Sequence, residues 1–416
     1  SGVVDAGAQG FVDMIGGMYQ FFVDGVVTEI DKASNNKESN QVDVAHVDNH
    51  ENINFRYCTE CVVIGNNIDR HKMREQLSSL GDSIIVAGGS RKVKIHIHTD
   101  TPEKAFELCS EFGSLANQKA DDMKQQVESA YENKKKPKIA IVTDSGADFV
   151  DDHSLDVHVV PVRYSFGDVG YIDKVSQTPK EFYEELVSNP EHPKTSQPTP
   201  GDFKSKYQYL ASHYEGIISI HLPSKLSGTL QSAATAIKRI EFDNAIIIDS
   251  DNASTGLGLI VRHAAELAKQ DMKIDQIVES INEIIPKTHL FVAFNDLSYG
   301  VKGGRVPKSK KIITDLLHIR PVTTCKDGAL KPCGILFGTK DIHKKIAKFI
   351  IKKFDSSKKY RISIGHSNSE DNGNELLDIL DHNFENLDYI DLVDMSPALG
   401  VHAGPNSFTV SVQELD

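Results

Sequence analysis

Residues 216 to 240, GIISIHLPSKLSGTLQSAATAIKRI, constrain the fold more than any other stretch. GIISIHLPS reads as a buried strand, and Leu230, Ala233, Ala234, Ile237 and Ile240 then recur at helical spacing. A strand therefore runs through a polar turn directly into an amphipathic helix, with Ser227 and Thr229 where capping residues belong. That turn lies at a strand's carboxyl end, where open α/β sheets place their ligands. The unpaired N–H groups and positive dipole end of a helix start favour an anion, although a lone SGT is equally an ordinary cap.

Three further polar segments are expected on loops: KTSQPTPGDF (194 to 203), GVKGGRVPKSKK (300 to 311) and GVHAGPNSF (400 to 408). Together they offer hydroxyls, a guanidinium and an imidazole, groups suited to one oxyanion. Gly303 and Gly304 permit a tight backbone path, after which Arg305 projects a fork that grips a carboxylate with two hydrogen bonds. KIAIVTDS, 138 to 145, is another apolar strand ending in polar residues. Its Asp144 and Ser145 either organise the following loop or begin a metal or phosphoryl site.

Six motifs in register, TDSGADF (143 to 149), KTSQPTPGDF, SKLSGTLQSA, IDSDNASTGLG (248 to 258), LSYGVKGGR (297 to 305) and GVHAGP, resemble the DegV family of fatty-acid-binding proteins from about residue 138 to 416. The resemblance implies two α/β lobes, 138–280 and 281–416, with a long-chain fatty acid between them. It assigns the head group to Thr195, Ser196, Ser227, Gly228, Arg305 and His402. Each methylene removed from water contributes about 0.8 kcal/mol, so an acyl tail supplies most of the affinity.

Ahead of the linker expected at 129–137, residues 25–128 read as a separate unit. The elements run strand (56 to 65), helix (70 to 81, closed by Gly81), strand (83 to 89), strand (91 to 100) and helix (101 to 113, capped by Thr101). This order predicts a small split α/β sandwich, followed from 114 by a helix running into the linker. The fold class expected for the whole chain is thus mixed α/β and α+β. YCTE, LGDSIIV and HIHTDTPEKAFEL resemble the middle domain of fatty acid kinases.

His96 and His98 alternate onto one strand face, and an adjacent strand carries Cys58. An isolated HxH is more often two solvated imidazoles. The kinase resemblance implies zinc on Cys58, His96 and His98, with Glu60 and Asp100 sharing the same faces as further candidates. Cys61 points away on a regular strand and is expected in the core, so the CxxC is neither a redox pair nor a zinc knuckle.

VVDAGAQG and the helical face of Phe11, Met14, Met18 and Phe22 resemble the last helix of a dihydroxyacetone-kinase-like nucleotide-binding domain. Residues 1–24 are accordingly expected to be the tail of an ATP-binding domain whose body belongs to a longer protein, and no kinase activity is expected of this piece alone. Residues 25 to 50 continue as a polar loop.

Composition narrows the functional classes. A net charge of −13 over 416 residues supplies no basic face for nucleic acid. No run of eighteen apolar residues and no signal peptide appear, and five cysteines form no regular framework, so a cytoplasmic protein is expected. Expected partners are a long-chain fatty acid, a kinase-like ATP-binding domain in cis or in trans, and a second copy of the chain. The competing class is a stand-alone serine-dependent or metal-dependent hydrolase, with Ser227 as nucleophile and His402 as base; it lacks a GxSxG elbow and an orienting carboxylate.

Overall fold

The computed structural model describes residues 55–123, 137–152, 154–306, 319–338 and 340–415. The helix expected near the start, the loop over 25–50, the linker over 129–136 and the helical half of IITDLLHIRPV lie outside the described residues.

The first domain is a four-stranded antiparallel sheet under two helices. β1 (Tyr57–Ile64), α1 (Arg70–Leu77), β2 (Gly81–Gly88), β3 (Lys92–Thr99), α2 (Pro102–Ser110) and β4 (Ser114–Asp122) give the order β2-β3-β1-β4. Period-two alternation decides the faces: Val93, Ile95, Ile97 and Thr99 of β3 are buried, while Lys92, Lys94, His96 and His98 turn outward. Met73 and Leu77 of α1, with Ala105, Phe106 and Cys109 of α2, close the core against Cys61 and Val63. Cys61 is in the core as expected, and the Cys61 thiol together with burial raises the Cys109 pKa.

Two expectations fail here. α1 ends at Leu77, capped at its start by Asp69, and Gly81 instead opens β2, where a Cβ would lie 1.9 Å from the His98 carbonyl oxygen. Residues 114–122 are a strand, not a helix. SLANQKADD shows no apolar alternation because this edge strand is held by its backbone ladder to β1, with Leu115 packing against the core.

The rest of the chain forms two lobes around one helix. β5 (Ile139–Asp144), β6 (Val157–Val160), β10 (Gly216–His221) and β11 (Ala245–Asp249) make a parallel sheet in the order β11-β10-β5-β6. Both β5 and β10 are buried throughout, which accounts for their continuous apolar runs. β7 (Arg163–Phe166), β8 (Val169–Ile172) and β9 (Lys194–Ser196) form a small separate sheet ordered β8-β7-β9. α3 (Pro179–Ser188) starts at Thr178 with a capping box to Glu181, as its sequence predicts. α4 (Pro200–Ala211) and α5 (Thr229–Ile237) flank the parallel sheet, and both contact β10.

α6 (Ser254–Lys269) lies between the two lobes, touching β5 and β10 on one side and β12 (Thr288–Ala293), β15 (Tyr360–His366) and β17 (Phe408–Glu414) on the other. Its small residues permit this: a Cβ on Gly258 would lie 2.1 Å from the Asp148 carbonyl oxygen. α7 (Ile274–Ile284) spans the lobe boundary expected at 280. The second lobe adds α8 (Leu297–Lys302), the hairpin β13 (Ile319–Lys326) and β14 (Ala329–Phe337), α9 (Ile342–Lys353), α10 (Glu370–Asn383), β16 (Leu387–Asp394) and α11 (Pro397–Ala403). Its sheet runs β14-β13-β12-β17-β15-β16, antiparallel except for the β15–β16 pair.

Candidate functional site

The β10–α5 turn is built by backbone bonds from Leu226 and Ser227 N–H to the Pro223 carbonyl. Gly228, not Ser227 or Thr229, occupies the N-cap. Ser227 Oγ accepts from Thr229 N at 3.2 Å and lies 2.7 Å from Thr229 Oγ1. The helix is shorter than its periodicity predicts and turned: it buries Thr229, Ser232, Ala233 and Ala236, because Ser232 Oγ accepts a bond from the Gln197 amide and so takes an inner position. A Cβ on Gly228 would fall 2.0 Å from Gln197 Oε1, so the turn and the 195–197 segment touch closely.

Asp144 and Ser145 organise loops. Asp144 accepts from Gly146 N and Leu222 N, and His221 Nδ1 lies 2.9 Å from its Oδ2. Ser145 Oγ accepts from Val162 N. The metal or phosphoryl reading of TDS has no further ligand here, since the one cluster of three potential metal-binding side chains among the described residues lies elsewhere.

The polar segments expected on loops lie largely on regular elements. Thr195 and Ser196 are on β9, Thr195 opposite Tyr164 of β7. His402 is on α11, and Arg305 follows α8 in a turn closed by its N–H to the Gly300 carbonyl. His402 Nε2 lies 3.3 Å from Thr195 Oγ1, while its Nδ1 is buried with no partner among the described residues. Burial lowers the His402 pKa to about 3, helped by the Arg305 guanidinium and by His192, so the ring is neutral at physiological pH. With no acceptor at Nδ1, the ring proton belongs on Nε2, pointing at Thr195 Oγ1. The Thr195 hydroxyl proton is thereby released toward the cavity. Arg305 is exposed and donates from Nη1 to the Gly303 carbonyl at 3.0 Å.

Thr195, Ser196, Ser227, Gly228, Arg305 and His402 all line one cavity of about 580 Å³. Its apolar wall includes Leu222, Leu290, Val292, Phe294 and Met395, drawn from both lobes. Gln197, Lys225 and Ser254 also line it, and sequence reasoning misses all three. Lys225 sits inside the strand–helix turn itself, and its Nζ crosses to the Asp327 carbonyl of the β13–β14 hairpin. Ser254 carries the one usable signal, a small polar residue opening α6 with φ +52°.

On the outer face of the first domain Cys58 stands opposite His98, and Glu60 opposite His96. One ligand atom from each of Cys58, His96 and His98 lies within 4.8 Å of the others, Cys58 Sγ being 3.8 Å from His96 Nδ1. Glu60 Oε1 is 3.1 Å from His96 Nδ1, and Asp82 Oδ1 3.6 Å from His98 Nδ1. Asp100, the other candidate carboxylate, instead accepts from Arg56 N.

Residues 138–415 match the DegV family of uncharacterised proteins. The chain belongs to the DegV family. A DegV domain-containing protein of Staphylococcus aureus (strain MRSA252) is 32% identical over 282 residues, 65% of this chain and 97% of that relative. A DegV family protein from Thermus thermophilus, solved in connection with fatty acid binding, superposes with a TM-score of 0.62 at 26% identity, over 67% of this chain and 100% of that one. The Streptococcus pneumoniae Fatty Acid Kinase B3 protein loaded with linoleic acid shares the fold, with a TM-score of 0.60 at 22% identity over 67% and 100%. Residues 54–130 match the FakA-like middle domain of fatty acid kinase, so this DegV module follows a kinase-type domain in one chain.

The hydrolase alternative finds no support. Ser227 is bonded to Thr229 and His402 to Thr195, with no bond between Ser227 and His402 among the described residues. No helix of the described residues is long and apolar enough to cross a membrane.

Proposed function

We propose that this DegV module binds a long-chain fatty acid, its tail along the apolar wall and its carboxylate among Thr195, Ser196, Ser227, Gly228, Arg305 and His402. The observation that carries the reading is that these six residues and that wall border one cavity. The Thermus thermophilus and Streptococcus pneumoniae neighbours, described with fatty acids, support the ligand class. Thr195 donates its hydroxyl, Arg305 supplies the charge at the mouth, and neutral His402 holds the Thr195 hydroxyl in its donating orientation.

The carboxylate is then presented to a kinase-like ATP-binding domain, acting in cis or in trans. A carboxylate oxygen attacks the γ-phosphorus, ADP leaves, and the acyl phosphate passes to phospholipid synthesis. The middle domain, which in this reading also dimerises, holds zinc through Cys58, His96 and His98, with Glu60 placed to complete the shell. The zinc supplies a structural crosslink between β1 and β3. All of these steps are assigned to the cytoplasm.

Native mass spectrometry of the purified chain tests the lipid. A co-purifying fatty acid, or uptake of added oleate at one equivalent, is expected. A chain that carries none and takes up none defeats the reading.

A further inference from the structure

One five-residue turn, Ile172 to Ser176, makes contacts in three directions. Toward the first domain, Val175 packs against that domain's core, alongside Leu80, Val86 and Leu115. Next to it Ser176 Oγ donates to Gln118 Oε1 at 2.9 Å, and the Gln118 amide N–H donates to the Gly170 carbonyl. Gln118 is a polar side chain of the edge strand β4, almost fully buried between β4 and β8. Toward the second lobe, Asp173 Oδ1 accepts from Ala398 N at 3.0 Å, at the start of the helix that carries His402. Toward the first lobe, Lys174 Nζ reaches Asp148 Oδ1 at 3.1 Å and donates to the Ala147 carbonyl. Asp148 closes the loop, since the same Oδ1 accepts from Ser396 N, next to α11, and its Oδ2 accepts from the cavity residue Ser254.

These bonds are short, and most of them are buried. Asp148 and Asp173 have no exposed surface, and the α11 backbone is seated by these two carboxylates rather than by its own lobe alone. A shift of the turn must therefore either break the Asp173–Ala398 bond or move α11. The other end of α11 sets the His402 Nε2 to Thr195 Oγ1 distance, and Thr195 itself lies on the β7–β8–β9 sheet whose edge strand Gln118 holds.

We propose that Gln118 is a positioning residue for the cavity: through the 172–176 turn, the kinase-type middle domain sets the seat of α11 and hence the placement of His402 against Thr195. The middle domain then does more than sit beside the lipid module. Its docking on β8 tunes how well the same chain holds an acidic head group. The affinity part of this inference rests on the fatty-acid reading, whereas the motion of α11 does not.

The test uses the full chain with Gln118→Ala, Asp173→Ala and the double variant. Hydrogen–deuterium exchange of residues 396–403 without lipid should rise in Gln118→Ala at a temperature where circular dichroism and melting match the wild type. Oleate affinity should fall roughly fivefold to tenfold, the size of one buried hydrogen bond. In the double variant the Gln118 change should add little, because the Asp173–Ala398 bond through which it acts is already gone. Unchanged exchange over 396–403 in Gln118→Ala overturns the proposal, as do additive losses of affinity in the cycle. A wild-type chain that takes up no oleate defeats the fatty-acid reading instead, and the exchange data still decide the coupling. If Gln118→Ala does not fold, Ser176→Ala, which removes the same bond from the other side, carries the same expectations.

Discussion

Gly303 offers the sharpest probe of the head-group geometry. A Cβ added there would lie 2.1 Å from His402 Nδ1, whereas ordinary contact begins at 3.4 Å, so the imidazole must move by 3.4 − 2.1, about 1.3 Å. The backbone does not resist, because Gly303 has φ −75° at the end of α8, a conformation alanine adopts freely. A neutral or slightly favourable effect on stability is therefore expected from the chain-entropy side. The strain falls on His402, whose 3.3 Å contact to Thr195 does not survive a displacement of that size. The Thr195 hydroxyl then loses the bond that aims its proton into the cavity. A hydrogen bond to a charged group is worth about 1.5–3 kcal/mol, so Gly303→Ala should weaken oleate binding roughly tenfold to a hundredfold. Isothermal titration with oleate reads the affinity, and urea denaturation checks the stability. Wild-type affinity in a folded Gly303→Ala protein would refute the placement of His402 at the head group. Gly304→Ala is the contrast: its φ of +75° strains the backbone, but its Cβ meets nothing, so stability should fall with little change in affinity.

Arg305 is exposed, so Arg305→Ala should leave the melting temperature within a degree or two while oleate affinity drops at least tenfold, and more steeply at low salt; affinity that stays put removes Arg305 from the site. Cys58→Ser should lose the zinc measured per chain by plasma mass spectrometry, and a retained equivalent of zinc sinks the Cys58, His96 and His98 assignment. Asp173 is fully buried, and burial raises its pKa from 3.8 to about 7 against the opposing effects of Lys174, Ser145 and the Ala398 N–H, with Asp148 raising it further. The folded form thus keeps the proton longer than the unfolded chain, so stability is highest below about pH 4 for this group and is lost as pH rises through about 7, by roughly 4 kcal/mol at most. Asp173→Asn keeps an acceptor for Ala398 without that cost, so its stability advantage in urea should grow from pH 5 to pH 8; parallel profiles would contradict the buried charge.

What can be read from the chain follows from where the information is physically stored. The outward pair His96 and His98 is legible because β3 is half-buried and its apolar partners alternate without interruption. The strand–turn–helix at 216–237 is legible because a fully buried parallel strand writes itself as a continuous apolar run. β4, β7, β8 and β9 are not, since short strands at sheet edges are held by backbone ladders that leave polar residues free to vary. The buried face of α5 departs from its periodicity by a fraction of a turn for a related reason: a hydroxyl, Ser232, takes an inward position once Gln197 satisfies it, and periodicity counts only apolar residues.

The same limit governs the site. Thr195, Ser227, Arg305 and His402 carry the right chemistry individually, but nothing in their spacing brings residues 195 and 402 within 3.3 Å, and it is family resemblance that gathers them. Resemblance in turn passes over positions such as Gln118 and Asp173, which touch no ligand. Those are the positions where a fused kinase-type domain can act on a lipid-binding module, because a bond to the backbone of α11 moves the imidazole without altering any residue that lines the cavity. Fusion therefore changes more than local concentration: it gives the head-group site a second support, and that support is open to measurement at Gln118 while every cavity residue stays as it is.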